Sequence, residues 1–202
     1  ISLLGGVLTL SFWRSIRWQK RVTLLSATAY LIVAVLLLRK VIQEGYIVLQ
    51  MGSWAAPFGI TLVADVLSAT MILLTGIVGF SAALYSMASV PNQHIRFGYF
   101  SLLHLILAGV SGAFLTGDIF HLVVWLEVML LASFGLLTLG GERNQMEGAI
   151  KYVTINLFSS AIFLSAIGLL YGTSGTLNMA DLSVKLTDVE EQGLVNVLAL
   201  MF

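Results

Sequence analysis

The sequence predicts an all-α polytopic membrane protein, a bundle of transmembrane helices, and three observations carry that prediction. Of 202 residues, 58% are hydrophobic and only 10% are charged, whereas soluble domains are about 25% charged. The mean hydropathy is +0.98. The apolar residues come in long runs without the two-residue alternation of barrel strands. In hydrocarbon every backbone N–H and C=O must be paired within its own element, so these runs are read as helices.

Five runs, 22–38, 66–87, 98–116, 119–139 and 150–171, each approach the ~30 Å hydrocarbon thickness once tilt is allowed. They are taken as whole spans. Residues 1–13 read as the end of a preceding span, and 194–202 stop where a span needs roughly 20 residues. The chain is therefore expected to be a fragment truncated at both ends. The basic residues follow the first apolar stretch instead of preceding it, which argues against a signal peptide.

Charge then orients the spans. Arg14, Arg17, Lys20 and Arg21 fall in the first connection, His94 and Arg96 in the third, and Arg143 in the fifth. By the positive-inside rule these connections are cytoplasmic and the N-terminus is extracytoplasmic. Arg39 and Lys40, on the opposite side, are the exception. Ten basic and ten acidic residues cancel, leaving no cationic surface for a nucleic acid. With no cysteine, the chain offers no disulfide, zinc ribbon or iron–sulfur ligand, and no cofactor is expected.

Two connections have character. Residues 45–64 are apolar yet broken by Gly52, Pro57 and Gly59, with β-branched and aromatic flanks, which predicts an extended loop or hairpin at the outer surface. After Tyr171 the chain turns polar, and Asn178 or Thr176 is placed to cap a short amphipathic helix containing Met179, Leu182 and Leu186. The expected organisation is leading helices over 1–44, this loop or hairpin over 45–64, and a helix bundle over 65–202.

Ionisable residues inside spans are the candidates for chemistry, because each costs several kcal/mol to insert. Glu127 lies eight residues into the run 119–139, ~12 Å deep at 1.5 Å per residue. Its own helix surrounds it with Val123, Val124, Leu130 and Leu131 and offers no ion-pair partner. Apolar surroundings favour the protonated form of a carboxyl, and an approaching cation favours the ionised one. That swing suits a proton carrier; the bland alternative is a permanently protonated acid that hydrogen-bonds helices together. Lys151 follows Glu147 at i+4, which fits either an anchoring pair at the membrane surface or a relay inside the bundle beside Thr154, Asn156, Ser159 and Ser160. His104, in the run 98–116, is a possible proton relay or a packing residue. His121 is off the Glu127 face by about 120°. Asp65 and Asp118 precede apolar runs and read as helix caps. Trp125, deep and beside Glu127, reads as packing before cavity lining.

The stretch GDIFHLVVWLEVMLLASFGLLTLGGERNQMEGAIKYVTINLFSSAIFLSAIGLLYGTSGTLNMADL, from Gly117 to Leu182, resembles the antiporter subunit family shared by Mrp-type multisubunit cation/proton antiporters and respiratory complex I. Upstream, WAAPFGITLVADVLSA resembles the D-type branch of the Mrp subunits. The resemblance covers the chain from about Gly45 onward. It implies two inverted helix repeats in the full protein, with 65–202 holding most of the first and ending inside the seventh helix. It also implies that Glu127, in VWLEVML, is the principal proton-handling acid. In the family a lysine on the seventh helix partners that glutamate; it would lie beyond Phe202, and Lys151 is not its equivalent. His121 stands where the family pattern has asparagine.

The expected function is that of a proton-translocating subunit of a monovalent cation (Na+)/H+ antiporter in the cell membrane. Its expected partners are other hydrophobic subunits, the lipid bilayer, protons and monovalent cations. It is a transporter subunit and not an enzyme on this reading. The alternatives are a proton-pumping subunit of a respiratory NADH–quinone oxidoreductase, or a structural scaffold.

Overall fold

The structure, a computed structural model, describes residues 1–53 and 59–186. Its helices are α1 (Ser2–Ser11), α2 (Ile16–Glu44), α3 (Val66–Ser89), α4 (Asn92–Arg96), α5 (Tyr99–Leu115), α6 (Ile119–Thr138), α7 (Arg143–Ser174) and α8 (Met179–Lys185), with strands β1 (Ile47–Gln50) and β2 (Thr61–Ala64) between α2 and α3. Four helices, α2, α3, α6 and α7, are long and apolar enough to cross a membrane, and α5 is an apolar helix of 17 residues. These five correspond to the five runs read as whole spans. The apolar stretch 194–202 lies outside the described residues.

Helices α2 and α7, at 29 and 32 residues, overrun their apolar runs because their polar ends stay helical. At the basic end of α2, Lys20 Nζ donates to the Met87 carbonyl at 2.7 Å, and the Arg21 guanidinium lies 5.4 Å from the Trp18 ring. At the far end Lys40 pairs with Glu44. Each of these contacts lets a charged residue complete a turn beyond the hydrocarbon core.

Side chains near the starts of several helices supply what the backbone lacks there. Asp65 accepts from the Ser68 backbone N–H at 2.7 Å, and the Ser68 hydroxyl accepts from the Asp65 N–H, closing a capping box ahead of α3. The Ser68 N–H holds the Asp65 carboxyl below its ordinary range. Asp118 accepts from His121 N–H at the start of α6, and Asn178 accepts from Ala180 and Asp181 N–H at the start of α8.

Helix α5 sits in the middle, against α1, α3 and α6, while α7 lies on α6. Lipid gives no hydrophobic drive between helices, so close approach of small residues carries the packing. A Cβ at Gly109 would stand 3.0 Å from the Met129 backbone N and 3.0 Å from the Trp125 carbonyl oxygen, so α5 and α6 are in backbone contact. One turn on, the Trp125 indole fills the space over Gly112.

The strands pair antiparallel, Ile47 opposite Ala64 through Gln50 opposite Thr61. This hairpin is tied to two helix connections. Gly117 N–H donates to the Thr61 carbonyl at 2.8 Å, Met179 N–H to the Gly117 carbonyl at 2.9 Å, and Ile119 N–H to the Leu177 carbonyl at 3.0 Å. Asn178 Nδ2 donates to Thr61 Oγ1, which donates to Gln50 Oε1. One end of α3, α5, α6 and α7 is thereby held in register.

Overpacking a filled helix contact costs about 1–3 kcal/mol. Gly112→Leu is therefore expected to expel Trp125 and to lower the melting temperature of the solubilised protein by several degrees, as read by tryptophan fluorescence, whereas Gly168→Leu, at a position open to its surroundings, leaves it unchanged.

Candidate functional site

The site is built from α6 and α7. Glu127 stands two positions after Trp125, about 200° of helical rotation. With Trp125 seated on Gly112 of α5, the Glu127 side chain is directed to the other side of α6, where α7 runs. There it lines a half-open cavity of about 560 Å³ together with Tyr152, Asn156, Ser159, Ser160 and Phe163 of α7. Val123, Leu126 and Leu130 form the apolar wall around the carboxyl.

The α7 residues reach the cavity because of their spacing. From Tyr152, positions 156, 159 and 160 fall within an arc of about 100° at 100° per residue. Asn156 Nδ2 donates to the Tyr152 carbonyl at 2.8 Å and Ser159 Oγ donates to the Ile155 carbonyl at 3.1 Å. These polar groups are thus tied to their own helix. Among the described residues, the Glu127 carboxyl has no hydrogen-bond or ion-pair partner.

The three candidate residues are not brought together. Lys151 Nζ lies 2.6 Å from Glu147 Oε1 in an exposed i,i+4 pair, with the lysine side chain 71% exposed, and it does not line the cavity. Of the two readings of Lys151, this geometry has the pair with Glu147 and sets the lysine apart from Glu127. The physical reason is the helical rotation: Lys151 precedes Tyr152 by about 100° and so leaves the face that Asn156 and Ser160 share. Thr154 is on the far side of α7 from that face as well, bonded to the Ile150 carbonyl.

His104 is buried on the opposite side of α5 from α6. Its Nε2 lies 2.9 Å from Ser26 Oγ of α2, and Gly5 and Gly6 of α1 pass over the ring. Its Nδ1 has no partner among the described residues. His121 stands at the start of α6, with Nδ1 3.1 Å from Asp118 Oδ1. Trp125 lines a separate apolar cavity with Tyr30, Ala108 and Ser111. Tyr152 and Phe163 are cavity residues that the sequence reading does not single out. Their signal is the i, i+4, i+7, i+8 spacing that starts at Tyr152 and runs through the polar positions of an apolar helix.

A family profile described as "NADH:quinone oxidoreductase/Mrp antiporter, TM" matches residues 116–202, a stretch that includes both α6 and α7. Over all 202 residues the chain is 39% identical to the D-type Na(+)/H(+) antiporter subunit of Alkalihalophilus pseudofirmus. The chain belongs to this antiporter-subunit family. It spans 41% of the length of that relative. Among solved structures, it is similar to a chain of the Mrp complex from Dietzia sp., with a TM-score of 0.85 and 31% identity, covering 99% of this chain and 37% of that one. It is similar also to a chain of the membrane-bound sulfane sulfur reductase, an archaeal respiratory membrane complex, with a TM-score of 0.89 and 26% identity, covering 99% and 40%. As a multi-pass membrane chain of this family, it shares its helix arrangement with both branches of antiporter-type subunits.

The position of Lys151 yields an expectation about rate. An exposed ion pair contributes little energy, so Lys151→Ala in the full-length protein is expected to change antiport by less than about twofold, measured as cation-induced pH change in membrane vesicles; a large loss would assign the lysine a relay role.

Proposed function

We propose that this chain is the proton-handling part of a D-type subunit in an Mrp antiporter that exchanges a monovalent cation for protons, with Glu127 as the proton carrier. The observation that supports it is the isolation of this carboxyl. It lies within an apolar helix, faces a cavity that has polar groups on one wall, and has no ion-pair partner among the described residues. Intramembrane acids are retained where they serve ion pathways. An acid at such a position, opening on a cavity with polar groups on one wall, is placed to pass a proton to water that enters it. Lys151 and His104 lie away from the cavity, and in this reading they serve the membrane boundary and the α1–α2–α5 contact.

The proposed setting is the cell membrane, with other hydrophobic subunits beside this one. The basic connections, with Arg14, Arg17, Lys20, Arg21, Arg96 and Arg143, would face the cytoplasm and the hairpin the outside. On the hairpin side Lys40 and Lys185 are each paired with an acid, Glu44 and Asp181, which weakens their pull against this orientation. A second reading has support in the likeness to the respiratory complex: a proton-pumping subunit driven by electron transfer elsewhere. Co-purification with redox subunits would favour it over the antiporter reading.

Replacing Glu127 by Ala or Gln in the full-length protein, within its complex, is expected to reduce antiport by at least about a hundredfold, since the carrier group itself is removed. Vesicle assays with assembly checked by co-purification read the outcome. Antiport retained in an assembled Glu127→Gln complex would overturn the proposal.

A further inference from the structure

The end of the bundle away from the hairpin carries a second cavity, of about 550 Å³, in which two arginines meet. Trp13 and Arg14 of the α1–α2 connection form one wall, and Gln93, Arg96 and Phe97, on and just after α4, form the other. Buried residues set both walls. Gln19, 2% exposed, donates Nε2 to the Trp13 carbonyl at 3.0 Å and holds the connection in place. Ile95, fully buried, packs with Ala27, Ala83 and Phe100, and Ile16 packs on the same cluster. Arg96 follows Ile95 by one position, about 100° of rotation, so anchoring Ile95 inward leaves Arg96 exposed.

Two guanidiniums on one cavity repel each other, and an anion between them offsets that repulsion. The surrounding elements add Arg17, Lys20 and Arg21, and the sequence has no Asp or Glu from Ile1 to Gln43 or from Val66 to Gly117. Lys20 spends its ammonium on the Met87 carbonyl. The arginines remain, and their planar fork matches phosphate oxygens.

The rings beside them say which phosphate. Trp13 is 61% exposed and Phe97 64%, at the ends of spans, where aromatic side chains sit at headgroup level. Free phosphate would engage the arginines and leave these rings uncovered. A phospholipid covers both. A zwitterionic headgroup would bring its own cation to the two arginines, whereas an anionic one does not. We infer that this cavity binds the phosphate of an anionic phospholipid, with Arg14 and Arg96 on the phosphate and Trp13 and Phe97 against the glycerol and the start of the acyl chains. The lipid thereby clamps the α1–α2 connection to α4. This site is separate from Glu127 and stands or falls without it.

The test uses the full-length protein in its complex, in vesicles containing phosphatidylglycerol or phosphatidylcholine with a photoreactive group at the start of the acyl chain. Labelling of residues 12–18 and 93–98 is mapped by peptide mass spectrometry. Phosphatidylglycerol is expected to label both segments about fivefold or more above phosphatidylcholine, and excess inorganic phosphate to leave the labelling unchanged. Arg14→Gln with Arg96→Gln is expected to remove that difference, while Arg143→Gln, a cation outside the cavity, changes it by less than about twofold. Should the double variant fail to assemble, Arg96→Gln alone decides, with an expected loss of about threefold. Equal labelling by the two lipids, or labelling indifferent to the arginines, overturns the inference. Labelling abolished by inorganic phosphate would make this a free-phosphate site, and label missing from both segments would mean that protein covers the cavity; either result also overturns it.

Discussion

The seating of Trp125 on Gly112 is the contact that orients the site. A large indole and a missing Cβ let α5 and α6 approach until Gly109 meets the Met129 and Trp125 backbone, and a helix fixed on one face has its other faces fixed too. Glu127, about 200° from Trp125, is thereby committed to the α7 side and withheld from α5. The carboxyl then has an apolar wall from its own helix and polar groups from the next. Without this anchor, rotation of α6 would carry the acid away from the oxygens of α7.

The same end of the bundle is tied through backbone groups. The hairpin meets the α5–α6 connection at Gly117 and the α7–α8 connection at Asn178, through Thr61. Gly117 is needed at that crossing because a Cβ there would stand 2.9 Å from a Val63 methyl and 3.3 Å from the Thr61 carbonyl. The helices on either side of the cavity, α6 and α7, therefore share a common fixed point close to the start of α6. Their spacing at Glu127 is set from that point and by the turn through Gly141, whose φ is +66°.

Much of this was legible in the residues. Spans were visible because the bilayer demands both length and apolarity, and caps were visible because Asp65, Asp118 and Asn178 stand directly before helical runs. The β-branched and aromatic flanks that signalled extended chain include the residues that pair as β1 and β2. Helix ends were less legible: α2 extends past its hydrophobic run with Lys20 bonded to the Met87 carbonyl, a contact that depends on a distant helix, and α7 begins seven residues before its run behind a capping box at Glu142. For the candidate site, the sequence offers Glu127 by cost, since a lone acid in an apolar run is expensive to insert, and the structure sets it on the cavity between α6 and α7. Lys151 stays open between an anchoring pair and a relay in the sequence, because type and proximity do not fix facing, which is decided by rotation. The cavity wall on α7 was partly named, through Asn156, Ser159 and Ser160, but the register that unites them with Tyr152 becomes plain only once α6 supplies the direction.

A proton carrier within the membrane must exchange its proton with water, and infrared difference spectroscopy of the assembled complex across a pH step reads that exchange at the carboxyl itself. A carbonyl band of a protonated carboxylic acid that appears and disappears with pH, and that is missing in Glu127→Gln, is the predicted result. A band at Glu127 that stays constant at every pH would mean a permanently protonated, structural acid, and a carrier role for this carboxyl would be contradicted.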